Sequence, residues 1–318
     1  MNNFYMTIGL PASGKSSWAE NMSSTGVKHH SSDSIREELF NNVAEQTKNN
    51  VVFETLHKRI IQDLKDGNDV VFDACNISAK RRMAFLKTIN HLNVNKIAIL
   101  FATPYEQVLI NNSTRERVVP EEVITKMYKS FFVPQMFEGW DDIQIIYQQE
   151  VNEDVKKQYS MGERFICKIN SFNQDNKHHG LNLGEHMFTT MRVVYNMLPA
   201  PQIKNELIFA SSMHDIGKLK TKSFINKKGE AVQDANYFSH DNVSAYDLLF
   251  FTKYNLKVET IKELLKIIFY AQYHMRPFFW DSEKARDKFK NMVGEELYND
   301  ILILHEADKM AKQNPPVY

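Results

Sequence analysis

Two sets of residues have the types and spacing to do chemistry. The first is Gly9-Leu10-Pro11-Ala12-Ser13-Gly14-Lys15-Ser16, a G-x-x-x-x-G-K-S run directly after a short apolar stretch. Its glycines let backbone N–H groups turn inward around the β- and γ-phosphates of a nucleotide, and a helix starting near Gly14 adds its positive end. Lys15 then reaches the phosphates and Ser16 ligates Mg²⁺. The second set lies far downstream: His186, the adjacent pair His214-Asp215, His240, His274 and Asp308. Imidazoles and carboxylates are the ligands of a catalytic Mn²⁺, Fe²⁺, Ni²⁺, Co²⁺ or Zn²⁺ with open positions. Any one of these histidines alone reads first as a surface or hydrogen-bonded core residue and only second as a ligand. Together, with an Asp on a buried-looking helix whose desolvation costs several kcal/mol unless it is paired, they read as one metal site.

Other charged residues could complete a phosphoryl-transfer site at the first set. Asp33 precedes Arg36 in D-S-I-R. It has two readings: a base for an acceptor hydroxyl with Arg36 on a nearby phosphate, or a helix cap with an i,i+3 ion pair. Asp73 ends the run Val70-Val71-Phe72 and would touch the Mg²⁺ shell through Ser16, or merely cap a strand. In Asn112-Ser113-Thr114-Arg115-Glu116-Arg117-Val118-Val119-Pro120 two arginines sit in a polar stretch, either a lid over the transferring phosphoryl group or a solvated loop.

These residues need elements to hold them. Short apolar runs at 4–8, 70–72, 97–101 and 143–147 alternate with amphipathic stretches, which predicts a mostly parallel sheet with helices on both faces. From Leu183 onward the pattern becomes helical, with helices expected over 203–216, ending at Gly217, over 258–274 and over 295–312, so the second half reads as all-α. The polar segment between them predicts a P-loop domain over 1–151, a linker over 152–164 and a helical domain over 165–318. Composition agrees with two globular domains: 318 residues, 43% hydrophobic and 25% charged. The 39 basic and 39 acidic residues give a net charge of zero, which excludes a broad basic coat for nucleic acid and leaves only local contacts. Cys75 and Cys167 make no disulfide framework, no run approaches a membrane span, and the start carries no secretory pattern, so a cytoplasmic protein without membrane contact is expected. Of eleven histidines, seven follow residue 170, the compositional trace of the second set.

The first half resembles the kinase domain of bacteriophage-type 5′-polynucleotide kinases. The resemblance rests on Gly9 to Ser17 (GLPASGKSS), Asp33 with Arg36, Asp73-Ala74-Cys75-Asn76 leading to Arg81-Arg82, Asn112 to Arg115, Val119-Pro120 and Met127-Tyr128-Lys129-Ser130, in the family's order over about 130 residues. It implies transfer of the ATP γ-phosphate to a polynucleotide 5′-OH. Gly9, Ser13, Gly14, Lys15, Ser16 and Ser17 would then bind ATP, with Mg²⁺ at Ser16 and Asp73. Asp33 would be the base, Arg36 and Asn76 would hold the acceptor, and Arg115 would be the lid arginine. The family often has Thr where Ala74 stands, so Ala74 carries no role.

The second half resembles the HD phosphohydrolase superfamily, H…HD…H…H…D, through Gly184-Glu185-His186, His214-Asp215-Ile216-Gly217-Lys218, Phe238-Ser239-His240, Tyr273-His274-Met275-Arg276-Pro277 and Ala307-Asp308. With both middle histidines present it is similar to the two-metal form. That implies Asp215 bridging, His186, His214 and Asp308 on one ion, His240 and His274 on the other, and Lys218 pairing with Asp215 or the phosphate. His179, seven residues before the first ligand, would contact substrate.

A kinase and a phosphoesterase on one chain suit nucleic-acid end healing. Ends carrying a 2′,3′-cyclic phosphate or a 2′- or 3′-phosphate opposite a 5′-OH become 3′-OH and 5′-phosphate, the substrate of an RNA ligase, which is the expected functional partner. RNA ends are expected ahead of DNA ends. Two-domain proteins that pair these activities are a known family, with the HD domain first where here it is last. The chain lacks the Asp-x-Asp of the 3′-phosphatase that accompanies the phage kinase, so the HD half would supply that activity. The alternatives are a small-molecule or nucleotide kinase fused to an HD nucleotidase, and a nucleotide sensor without turnover; intact Asp33 and Asp215 weigh against the sensor.

Overall fold

The computed structural model describes residues 1–176, 180–199 and 203–312. The chain divides into two compact units, one made of Met1–Met127 and Val133–Val151, the other of Tyr128–Phe132 and Asn152–Tyr318.

In the first unit, β1 (Asn2–Ile8), β2 (Lys28–Ser31), β3 (Val70–Asp73), β4 (Val94–Ala102) and β5 (Asp142–Tyr147) form one sheet in the order β2-β3-β1-β4-β5. Every neighbouring pair is parallel. Six helices belong to this stretch of chain: α1 (Lys15–Ser24), α2 (Ser32–Phe40), α3 (Asn49–Lys65), α4 (Ala79–Ile89), α5 (Tyr105–Ser113) and α6 (Glu121–Lys129). Parallel strands covered on both faces read as unbroken apolar runs, which is why β1, β3, β4 and β5 were visible in the sequence. Phe4, Phe72, Phe85 and His57 fill one side of the sheet, with His57 and Phe85 ring centroids 4.5 Å apart. Trp18 meets Tyr5 and Phe101 on the other, at 6.0 Å each.

The strand β2 is an addition to the sequence reading. Its sequence Lys-His-His-Ser has no apolar residue, as an edge strand allows, and polar contacts hold it: His30 Nε2 lies 2.6 Å from Asp63 Oδ2 and His29 Nε2 3.4 Å from Asp73 Oδ2.

The second unit is mostly helical: α7 (Glu153–Gln158), α8 (Glu163–Asn170), α9 (Leu183–Met197), α10 (Asn205–Ser211), α11 (Lys218–Thr221), α12 (His240–Asn255), α13 (Ile261–Tyr273), α14 (Glu283–Val293) and α15 (Glu295–Met310). Along α12 every residue from Asn242 to Thr252 is buried, the signature of a helix enclosed by others. Capping boxes start α9 (Asn182 with Glu185) and α13 (Thr260 with Glu263), so each begins at a fixed residue. No helix among the described residues is long and apolar enough to cross a membrane.

Three expectations for this half are corrected. Residues 152–164 are not a bare linker: they contain α7, and Val155 and Tyr159, four apart, bury one face of it. Tyr159 packs 5.2 Å from Phe250 and 5.3 Å from Phe251. The half is not all-α either, since β6 (Ser223–Ile225) and β7 (Ala231–Asn236) form a hairpin. Its turn is set by Asn226, whose Oδ1 accepts from Lys228 N at 2.9 Å and Glu230 N at 3.0 Å. Finally, the helix expected over 203–216 stops at Ser211. The hydroxyls of Ser211 and Ser212 donate to the carbonyls of Ile208 and Phe209, competing with the helix ladder, and 212–217 continue as turns. Gly217 therefore does not close a long helix; it precedes α11 where a Cβ would collide with the His240 carbonyl and the Ser244 N–H.

Candidate functional site

The phosphate loop joins the C-terminal end of β1 to α1. Gly14, at φ 88°, makes the left-handed turn that starts the helix, and no side chain caps it, so the first helical N–H groups face the loop. Gly9 N donates to Cys75 O at 3.0 Å, fixing the loop to the strand next door. Lys15 is buried; its Nζ donates to Leu10 O at 2.6 Å and lies 3.4 Å from Ser13 Oγ, across the loop. Ser16 and Ser17 are exposed beside it. Asp73, buried at the end of β3, faces them. Burial raises its pKa, but hydrogen bonds from His29 and Ser16 and the charge of Lys15 outweigh that and hold the carboxyl below its usual range. Thr7 Oγ1 adds a 3.2 Å hydrogen bond.

At the start of α2, Ser31 caps the helix by accepting from Asp33 N, and Asp33 Oδ1 accepts from Arg36 Nη1 at 2.7 Å. Both readings of this pair therefore apply to the same geometry. The Asp33 side chain is 53% exposed whereas Arg36 is 7% exposed, so the carboxylate can meet a large acceptor and the guanidinium is fixed beneath it. Arg36 Nη2 donates to Asn49 Oδ1 at 2.8 Å, and its Nε is buried with no hydrogen-bond partner among the described residues.

Sequence reasoning left Arg117 without a role, but its Nη1 lies 3.2 Å from Asp33 Oδ2 and its Nη2 donates to Val43 O at 3.2 Å. The loop that carries it is clasped by Asn112, which exchanges hydrogen bonds with Val119 at 2.8 and 3.0 Å, while Asn111 Nδ2 donates to Ala12 O of the phosphate loop at 3.1 Å. Arg115 is exposed on that loop. Asn76, expected at the acceptor, donates its Nδ2 to Thr7 O at 2.9 Å, which ties it to β1. Its carbonyl accepts from Arg82 Nη1, and Arg82 is otherwise fully buried in a two-point ion pair with Glu138 at 2.6 and 2.7 Å. Arg82 thus holds the framework.

In the second unit the six residues of the second set converge, from α9, the 212–217 turn, the start of α12, the end of α13 and α15, and all are buried. The turn lets the neighbours His214 and Asp215 face one centre, which adjacent residues of a helix do not. The two oxygens of Asp215 face different imidazoles: Oδ2 is 3.3 Å from His186 Nε2 and 3.5 Å from His214 Nε2, Oδ1 is 3.1 Å from His240 Nε2 and 3.6 Å from His274 Nε2. Asp308 Oδ1 lies 3.1 Å from His186 Nε2 and 3.8 Å from His214 Nε2. The groups whose ligand atoms lie within 4.8 Å of one another are His186, His214, Asp308 and His214, Asp215, His274.

The donor set fits a cation. His214, His240 and His274 each place Nδ1 on a backbone carbonyl, of Ser211, Tyr237 and Ala271, at 2.7 to 2.8 Å. A carbonyl only accepts, so in the neutral rings Nδ1 carries the proton and Nε2 presents a lone pair inward. His240 and His274 Nε2 are 3.2 Å apart, two lone pairs facing each other, and His214 Nε2 is buried without a hydrogen bond among the described residues. A divalent ion or a proton resolves both. Burial raises the pKa of Asp215 and Asp308, but Lys218 and the imidazoles around Asp215, and His186 with His214 around Asp308, keep both carboxyls well below the ordinary range. Lys218 Nζ lies 2.7 Å from Asp215 Oδ2 and donates to Gln174 Oε1 at 2.7 Å. His179 lies outside the described residues.

The first unit is a five-stranded parallel sheet with a phosphate-binding loop between its central strand and α1, and residues 4–134 match the family model described as an AAA domain. That match covers the phosphate-loop half and does not reach the histidine cluster. Partial similarity to solved structures extends to a chain from Chloroflexus aurantiacus j-10-fl described as a kinase (10% identity, 50% of this chain and 93% of that chain, TM-score 0.41). A sugar kinase from Janibacter sp. HTCC2649 is similar to the same extent in identity (10%, 50% and 92%, TM-score 0.38). A chain of the Pnkp1/Rnl/Hen1 RNA repair complex matches at 19% identity over 41% of this chain and 43% of its own, TM-score 0.38. None of the curated proteins matches.

Proposed function

We propose that this chain is a two-site nucleic-acid end-healing enzyme. One site phosphorylates polynucleotide 5′-OH ends with ATP, and the other removes 2′,3′-cyclic phosphate or 2′- or 3′-phosphate from RNA ends with a divalent metal. At the first, Lys15 and the loop N–H groups hold the phosphates, Ser16 and Asp73 the Mg²⁺, and exposed Asp33 takes the proton of the acceptor hydroxyl while Arg36 holds the acceptor phosphate and Arg115 covers ATP. At the second, His186, His214 and Asp308 would hold one ion and His240 with His274 another, with Asp215 between them. Ions held there supply an activated water and a clamp on the phosphoryl oxygens. Lys218 keeps Asp215 anionic and oriented, and His179 is the candidate substrate contact.

The observation that carries the reading is the Asp215 geometry, one carboxylate with each oxygen facing a separate imidazole pair, on the same chain as a phosphate loop with an exposed Asp33 above a buried Arg36. The products, 3′-OH and 5′-phosphate, are what an RNA ligase joins, so a ligase is the expected functional partner.

The test uses two end-labelled substrates. A 5′-OH oligonucleotide with ATP and Mg²⁺, and a 2′,3′-cyclic-phosphate oligonucleotide with Mn²⁺, Ni²⁺ or Co²⁺, are given to wild type, Lys15→Ala and Asp215→Ala. Each substitution is expected to silence one reaction and spare the other. Phosphate transfer only to nucleosides or small alcohols would overturn the polynucleotide assignment, and no metal-dependent cleavage of any phosphoester would overturn the second site.

A further inference from the structure

Three aromatic residues in a row, Phe278, Phe279 and Trp280, follow the cluster residue His274 after Met275-Arg276-Pro277. The 3-10 turn Arg276–Phe279 gives them different surroundings. Phe278 sets its ring 4.3 Å from that of His305, one helical turn before Asp308 on α15. Trp280 stacks on Tyr298 at 5.6 Å and meets Phe289 at 5.5 Å. Phe279, anchored between them, is 71% exposed, although burying a phenylalanine is among the larger single gains a fold can make.

The turn is joined to the histidine cluster by one side chain. Lys312 Nζ lies 4.4 Å from the Phe278 ring centroid and 3.5 Å from Asp308 Oδ2. Arg276 is exposed on the same turn, with its guanidinium 5.7 Å from the Tyr273 ring centroid. The turn thus carries an outward aromatic and an exposed guanidinium, and its Phe278 holds an ammonium that reaches Asp308 of the cluster; a π-face and cations are what the base and phosphate of a nucleotide pair with.

We propose that Phe279, with Phe278, Arg276 and Lys312, forms a subsite that stacks the terminal nucleobase of a single-stranded polynucleotide whose 3′ end enters the histidine cluster. The inference rests on the phosphoesterase reading and deepens it, since it makes the substrate a base-bearing end and not a bare phosphoester. Stacking is tolerant of base identity, so the subsite would favour any base over none.

Two oligonucleotides ending in a 2′,3′-cyclic phosphate decide it, identical except that one is abasic at its terminal nucleotide. Wild type is expected to cleave the base-bearing end with a kcat/KM about tenfold higher, mainly through KM. Phe279→Ala should lose that preference, and Phe279→Trp should keep it. Equal kcat/KM for both ends in wild type overturns the subsite while leaving the phosphoesterase standing. If neither end is cleaved with any metal, the phosphoesterase reading fails. Fluorescence anisotropy of a labelled single-stranded oligonucleotide on the full chain then decides the subsite: weaker binding by Phe279→Ala and not by Phe279→Trp supports it, and unchanged binding overturns it. A change in sedimentation from dimer to monomer in Phe279→Ala, without any base preference, would assign the turn to a contact between copies and also overturn it.

Discussion

Arg117 and Arg82 show how little an arginine's sequence context says about its work. Arg117 looked like a surface charge, yet it pairs with Asp33; Arg82 stood in a motif, yet it is sealed against Glu138. The first should affect turnover and the second stability. Arg117→Gln is expected to lower the kcat/KM for 5′-OH phosphorylation roughly tenfold or more, on the scale of one lost charge-assisted contact, with no change in melting temperature; steady-state assays with an oligonucleotide acceptor and a thermal scan check both. Arg82→Ala should cost about 3–5 kcal/mol of stability, because it leaves Glu138 charged and buried, and urea unfolding measures it. The glycine-lysine loop was legible at this scale because close backbone approach demands glycine, and the convergence of the His/Asp set was legible because clustered imidazoles and carboxylates are rarely buried for packing alone. The Arg117 and Arg82 pairings were not, since they join positions 84 and 56 residues apart.

Elements were legible where burial imposes a period and illegible where polar groups do the holding. The central strands and the long helices announced themselves as apolar runs, whereas β2 and the 212–217 turn depend on His29, His30, Ser211 and Ser212 making local hydrogen bonds. The turn has a test of its own. Gly217→Ala drives a Cβ into the His240 carbonyl, so it should destabilise the second unit and lower its metal-dependent activity together, read by calorimetry and by the cyclic-phosphate assay. On α3, His57 lies among Phe53, Phe72 and Phe85, and burial lowers its pKa from the usual 6.5. The unfolded chain then binds the proton more readily than the folded one. Its contribution is whole above pH 6.5 and declines as pH falls toward the folded value. Denaturant midpoints between pH 7 and pH 5 should fall less steeply in His57→Phe than in wild type.

For the whole molecule, the two sites draw on separate residues, so a divalent ion at the histidine cluster should stabilise the second unit without touching the kinase reaction. Added Mn²⁺ or Ni²⁺ is expected to raise one melting transition in proportion to log concentration, and His214→Ala to abolish the rise while phosphorylation of 5′-OH ends persists. Length and composition had indicated two domains; they could not indicate that the chain enters the second unit twice. Residues 128–132 belong to it, with Phe131 buried 4.8 Å from Tyr246, Gln272 Nε2 donating to Phe131 O at 2.9 Å and Tyr128 donating to Asp247.

That early visit has a consequence for making and cutting the protein. The ribosome releases residues 128–132 more than a hundred residues before α12 and α13, which receive them, so this first segment of the second unit must wait for the rest of that unit to be made. A protease that nicks the chain at Val151 would leave the carboxy-terminal fragment without Tyr128 and Phe131. That fragment, expressed alone, should bind a hydrophobic dye and melt earlier than the same residues in the intact chain.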